Sequence, residues 1–294
     1  MYNVKFFKYP SGWQVRVYSA VVGYHDKPDK YVDDSDNYIV PELVWHEDIQ
    51  EYVTEMVPLD HVWLNPFTER FEKVPVSMDE LEEELEQKKK RSIASSMGRT
   101  INSVFHIARS NVWDWFITFT FNPEIVDSFD YEKTVKKLSK WLNNIRNQCP
   151  DIGYIIVPEQ HKSGRFHFHG LFKRCDGLCF VPTDKRTCKG DVIFNVGRYK
   201  FGWTTATRVG DQDRVTKYIA KYISKDLVQV AFNKRRYWAS RNLDDADVQE
   251  VVLDNAQLKQ LTGRLDGAAV YVKRVECSEV ITTYYELPPG IEDE

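Results

Sequence analysis

The stretch PEQHKSGRFHFHG (158–170) decides how this chain is read. Its second half runs into FHFHGLF (166–172), which alternates aromatic and histidine residues with the two-residue period of a β-strand. His167 and His169 therefore share one face and Phe166 and Phe168 the other. Its first half continues the β-prone run IGYIIVP (152–158), and Glu159 and His161 stand two apart at the end of that strand. Residues 162–165 contain Gly164 and read as the turn of an antiparallel hairpin. A turn centred on Gly164 sets His161 across from His167 and Glu159 across from His169, with cross-strand Cβ separations of about 5 Å. A register shift of one residue would send one pair to the opposite face.

Outward from the hairpin, FITFTF (116–121) is a short strand stopped by Asn122-Pro123. It puts Thr118 and Thr120 on one face and Phe119 and Phe121 on the other. Between these strands, YEKTVKKLSKWLNNIRNQ (131–148) carries Val135, Leu138, Trp141, Leu142 and Ile145 at helical spacing. A further strand is expected over 201–207 and a helix over 212–228. Strand, helix, strand, hairpin, strand, helix is the order of an antiparallel sheet with flanking helices, an α+β fold.

Residues 1–76 are strand-rich, with VKFFKY and WQVRVYSAVV on either side of a Pro10-Ser11-Gly12 turn signal. Ser77 and Glu80 form a capping box, and Glu84/Lys88 and Glu86/Lys90 are favourable i,i+4 pairs of a charged helix. That helix is expected to extend, with breaks, through INSVFHIARS. Three regions follow: 1–91, of no legible role and ending in the charged helix; 92–242, where the chemistry lies; and 243–294, an acidic C-terminal extension.

The net charge of −4 argues at first against a polyanionic partner, but the charge is uneven. Residues 131–240 hold 22 Lys/Arg against 9 Asp/Glu, and the remainder holds 18 against 35. A nucleic acid would bind the basic middle. Five scattered cysteines are too few for a disulfide framework in 294 residues, and Cys175, Cys179 and Cys188 lack a convincing fourth zinc ligand. With neither a secretion signal nor an apolar run of membrane-spanning length, the expected location is the cytoplasm, with no membrane partner.

Imidazole and carboxylate gathered on one patch suit a divalent metal, Mg²⁺ or Mn²⁺, with positions left for phosphate oxygens. An isolated H-x-H pair is more often two half-buried strand histidines; Glu159 and His161 beside it tip the reading toward a ligand set. A histidine-triad phosphoryl hydrolase is set aside because Gly170 and Leu171 stand where its third histidine would be. The second element is KYIAKYISK (217–225). At 100° per residue Tyr218, Lys221, Tyr222 and Lys225 fall within an arc of about 100°, while Ile219, Ile223 and Leu227 form a separate anchoring stripe. A phenol is a weak nucleophile at neutral pH, and a metal on the phosphate or a nearby lysine would assist it.

FITFTF, PEQHKSGRFHFHG and YIAKYISK together, in this order, resemble the HUH endonuclease superfamily. The likeness is to rolling-circle replication initiators of phages and plasmids, in the two-tyrosine group. It extends to the gene A replication proteins of small icosahedral single-stranded DNA phages and the gene II proteins of filamentous phages. The resemblance covers about half of the chain, 92–242. It implies an RRM-like antiparallel sheet, a metal held by His167, His169 and a third side chain (Glu159, or His161), and nicking of single-stranded origin DNA through a 5′-phosphotyrosine. Tyr218 and Tyr222 take the nucleophile positions, Lys221 or Lys225 the assisting lysine, and Thr118 and Thr120 support and contact DNA. Arg165, Arg235 and Arg236 are further DNA-contact candidates, the last two beside Tyr237 and Trp238. The sequence contains no G-x-x-x-x-G-K-[ST] phosphate loop, so a host helicase and polymerase are implied partners. A transposase or mobilisation relaxase with the same chemistry and a non-enzymatic single-strand binder are the alternatives.

Overall fold

The computed structural model describes residues 1–23, 39–46, 51–58, 62–65, 70–73, 78–222, 234–277 and 280–290. The chain divides into two units, Met1–Val22 with Arg91–Glu294, and Gly23–Lys90. β1 (Tyr2–Tyr9) and β2 (Gly12–Val22) open the first unit. The second holds two antiparallel pairs, β3 (Ile39–His46) with β4 (Glu51–Pro58) and β5 (Val62–Asn65) with β6 (Arg70–Lys73). Helix α1 (Met78–Arg109) follows and is continuous, without the breaks expected after residue 90. Its Glu86–Lys90 pair is formed at 2.8 Å; the Ser77 cap lies outside the described residues. Val104 and Ala108 of α1 are fully buried and Ile93, Met97 and Ile101 pack against the same core, so this half of the helix is structural, not a solvated connector.

The rest of the first unit runs β7 (Trp115–Phe121), α2 (Tyr131–Gln148), β8 (Gly153–Gln160), β9 (Phe166–Lys173), β10 (Phe180–Arg186), β11 (Val192–Val196), β12 (Gly202–Arg208) and α3 (Gln212–Lys221). It ends with β13 (Trp238–Ala239), β14 (Asp247–Val251), α4 (Asn255–Ala268), β15 (Tyr271–Cys277) and β16 (Val280–Leu287). Among the described residues the fold is α+β, its main sheet having seven strands in the order β10-β11-β12-β7-β9-β8-β13. β7, α2 and β8 form a split β-α-β unit with β9 between its two strands, as in the expected RRM-like sheet.

Alternation along β7 sorts the two faces. Trp115, Ile117, Phe119 and Phe121 are buried, while Phe116, Thr118 and Thr120 are half-buried on the other side. The buried row meets α2, where Leu138, Trp141, Leu142 and Ile145 present the apolar stripe and Asp130 caps the first turn by accepting from the Lys133 N–H at 3.0 Å. Phe119 sits at the centre with Trp141, Phe172 and Tyr199 around it at ring distances of 5.1, 5.9 and 5.2 Å. Each such side chain contributes about 1.5–3 kcal/mol by leaving water, which fixes the register that the opposite face inherits.

The stretches read separately as 1–91 and 243–294 share a sheet, ordered β14-β1-β2-β16-β15. Val4, Val15, Leu265, Tyr285 and Leu287 form its own core beneath α4, whose N-terminus carries a capping box of Asp254 and Gln257. No described helix is long and apolar enough to cross a membrane.

Candidate functional site

The site lies on the face of the seven-stranded sheet opposite α2. Thr118 stands across from His169 and Thr120 across from His167 on β7 and β9. Each threonine hydroxyl meets the Nδ1 of its partner, Thr118 at 3.0 Å and Thr120 at 3.1 Å. This contact holds both imidazoles in one orientation and turns their Nε2 atoms the same way. His169 Nε2 lies 2.7 Å from Glu159 Oε2. The hydrogen bond from His169 holds the Glu159 carboxyl below the usual range, and burial lowers His167.

The hairpin pairs differently from the expectation. Glu159 stands across from His167, and Val157, not Glu159, across from His169. The turn is centred on Ser163: His161 donates to the Arg165 carbonyl at 2.8 Å and Gly164 donates to the His161 carbonyl at 2.7 Å. Gly164 has φ +83°, the left-handed conformation that closes a three-residue hairpin loop, so the glycine occupies its last position instead of its centre. The displacement is two residues in register, which keeps Glu159 on the histidine face and lets it reach His169 diagonally. His161 is displaced into the turn, exposed, with its Nδ1 accepting from the Ser163 N–H at 3.3 Å. Its ring is still 5.5 Å from that of His167.

Helix α3 brings the tyrosines to this face. Asp211 caps it by accepting from Arg214 N–H at 2.9 Å, and buried Thr216, Ile219 and Ala220 seat it. Tyr222, at the C-cap, stacks on His169 with ring centroids 3.7 Å apart and planes 8° from parallel. Tyr218 meets Tyr222 edge-on at 5.0 Å and Phe116 at 5.4 Å, and is 46% exposed. Burial, then the hydrogen bond with Tyr218, pushes the Tyr222 phenol up. Lys221 is exposed on the same helix; Lys225, Ile223 and Leu227 lie outside the described residues. Sequence reading missed Phe116, which packs between Tyr218 and His169 and shares the face of Thr118 by the same two-residue alternation.

The basic candidates separate. Arg165 is exposed on the hairpin, its guanidinium 5.3 Å from the Phe129 ring. Arg236 reaches back to α1, donating to Ser96 Oγ at 2.6 Å, and Trp238 is buried against Phe168; both serve packing. Arg235 is exposed, and its carbonyl accepts from the Tyr131 hydroxyl. Among the described residues no three His, Cys, Asp or Glu side chains converge into a ready-made metal site. Glu159, His167 and His169 are the donors of suitable type that stand together.

Fold and site thus define an α+β protein whose open sheet face gathers two threonine-held histidines, a carboxylate and two tyrosines. Residues 114–227, less than half of the chain, match the profile of a family described as Replication-associated protein ORF2/gene II protein. The matched stretch contains β7, the hairpin and α3, and supports a replication-associated, rolling-circle initiator family for this part of the chain. Comparison with curated proteins and with solved structures finds no match.

Proposed function

We propose that this protein initiates rolling-circle replication by nicking single-stranded origin DNA with a tyrosine nucleophile, and rejoins strands by the reverse transesterification. The observation that carries the reading is the stacking of Tyr222 on His169, which joins the tyrosine helix to the histidine face. The profile match over 114–227 supports the replication role and DNA as the partner.

In the proposed reaction the Tyr218 or Tyr222 oxygen attacks the scissile phosphorus and the P–O3′ bond breaks. The phenolic proton is lost and the 3′ oxygen leaves as a hydroxyl once protonated. The product is a 5′-phosphotyrosine and a free 3′-OH. Rejoining runs the same bonds in reverse, and a second tyrosine one turn away permits a second transfer before the first linkage is resolved. Lys221, exposed beside the tyrosines, balances charge at the phosphate.

The donor set fits a divalent cation, Mg²⁺ or Mn²⁺. Two ligands of one octahedral ion at about 2.1 Å stand roughly 3 Å apart, close to the 2.7 Å between His169 Nε2 and Glu159 Oε2. Moving the imidazole proton to Nδ1, where Thr118 Oγ1 accepts it, frees Nε2 as a donor. His167, His169 and Glu159 would hold the ion, which would neutralise charge on the scissile phosphate. His161, caught in the hairpin turn, would support His167.

The test is incubation of the full chain with single-stranded DNA from the region flanking its gene and Mn²⁺, followed by denaturing electrophoresis. A covalent protein–DNA adduct is expected. DNA binding without adduct would leave a non-enzymatic binder in place of the nickase.

A further inference from the structure

The register of the main sheet lines up four side chains in one row across the site face. Trp203 on β12 stands across from Thr120 on β7, Thr120 across from His167 on β9, and His167 across from Glu159 on β8. Residues directly opposite in antiparallel strands project to the same face. Trp203 therefore stands two strand spacings from His167, roughly 10 Å.

Trp203 is 60% exposed. A tryptophan on a strand ordinarily buries its ring against a cross-strand neighbour, and loses apolar hydration by doing so. Here the neighbour is Thr120, whose hydroxyl is engaged with His167, and the ring has no aromatic, cationic or hydrogen-bond partner among the described residues. Thr205, next on the same face of β12, is exposed too, so the surface beside the ring is open. Its backbone is fixed: a Cβ on the preceding Gly202 would lie 2.1 Å from the Thr120 carbonyl oxygen, so only glycine allows β12 to approach β7 this closely. An indole held in register with the site and offered to solvent has the form of a stacking platform.

We infer that Trp203 is a binding site for one unpaired nucleobase of the strand being cut, stacked on the indole so that a phosphate a short way along the backbone reaches the His167–His169 face. An unpaired base is the occupant the observations favour, because the basic excess of residues 131–240 suits a polyanion and stacking accepts a base of any sequence. The inference rests on the proposed nicking function for its substrate but not for its own readout. Trp203 is a positioning residue; it touches no reacting atom.

The test uses oligonucleotides tiling the single-stranded DNA that flanks the gene, with 2-aminopurine replacing adenine at successive positions. Wild type, Trp203→Ala and Trp203→Phe are compared by fluorescence, by anisotropy and by adduct yield. Quenching at one position is expected in wild type, lost in W203A and kept in W203F. W203A should bind about 5- to 150-fold more weakly, with the adduct rate at saturating DNA unchanged. Equal binding by W203A and wild type, or a loss that W203F fails to restore, overturns the inference. If wild type shows position-specific quenching but no adduct, the nicking reading falls while the stacking site stands. If adducts form but W203A behaves as wild type, the reverse holds.

Discussion

The Tyr222 ring lies parallel on the His169 imidazole, 3.7 Å from centroid to centroid. One helix terminus thereby covers one face of the best-buried histidine of the site, which is 6% exposed. The edge of the imidazole, with Nε2 toward Glu159, is left as the direction in which His169 can bind anything further. The two tyrosines are consequently unequal: Tyr218 meets solvent, and Tyr222 is held against the sheet.

That inequality predicts unequal single variants. Tyr218→Phe should slow formation of the first covalent adduct more than Tyr222→Phe, because the exposed phenol meets an incoming phosphate without first leaving a stack. Each single variant should keep some cleavage through the remaining tyrosine, and the double variant none. Adduct yield against time on one labelled oligonucleotide reads all three. An adduct from the double variant would place the nucleophile elsewhere.

The threonines should matter through the histidines. Thr118→Ala removes the oxygen that meets His169 Nδ1 at 3.0 Å, and loss of such a partner typically costs 10- to 100-fold in metal affinity. The Mn²⁺ concentration for half-maximal adduct should rise by about that factor, and Thr118→Ser should restore it. Glu159→Gln should raise it at least as far, and chelation of the metal should abolish the adduct in wild type. Unchanged Mn²⁺ dependence in both Thr118→Ala and Glu159→Gln would remove these residues from the metal reading.

How much of the fold and site is legible in sequence follows from the range of the interactions. The alternation of β7 and β9 and the stripe of α2 are local, and residues 131–148 form the helix their spacing specifies. The hairpin register departs from expectation by two residues because a glycine in a turn does not announce which turn position it fills; its positive φ does. The shared sheet of β1, β2, β14, β15 and β16 joins residues some 250 apart in sequence, such as Val4 with Val251, and no local pattern encodes such a pairing. Trp203 is illegible for the same reason, since its place in the row depends on three successive strand pairings.

Gly164 is predicted to be the least replaceable residue of the hairpin. An added Cβ would meet only Phe129, at an ordinary 3.4 Å, so the cost of Gly164→Ala comes from holding φ at +83°. That cost is roughly 1–2 kcal/mol, a fall of several degrees in melting temperature for a protein of this size. Asn tolerates the left-handed region better, so Gly164→Asn should lose less than Gly164→Ala. Thermal melts of both variants check this, and equal stability of Ala and wild type would contradict the loop geometry.

The last prediction concerns acid. His106, on α1, stacks on Phe7 at 4.6 Å and lies between Tyr9 and Arg16: the Tyr9 hydroxyl is 2.6 Å from Nδ1 and Arg16 Nη2 is 3.0 Å from Nε2. Arginine can only donate, so Nε2 accepts, and the ring is neutral with its proton on Nδ1. Protonating Nε2 would break the Arg16 bond and set two cations together. Burial first, then the charges of Arg16 and Arg109, lower its pKa from 6.5 to about 4. Between these values the unfolded chain binds a proton that the folded chain refuses, so stability rises with pH across the window. It is fully present above about pH 6.5 and is lost as pH falls toward 4, by an amount on the order of 2 kcal/mol. Arg109 belongs to the same layer, paired with Glu286 of β16 at 2.6 Å, so the loss should be felt where α1 meets the sheet formed by the chain's two ends. Denaturant melts from pH 7.5 to 4.5 should show the loss in wild type and a flatter profile in His106→Gln, whose neutral amide cannot take up the proton. An unchanged pH slope in that variant would mean that acid sensitivity arises elsewhere.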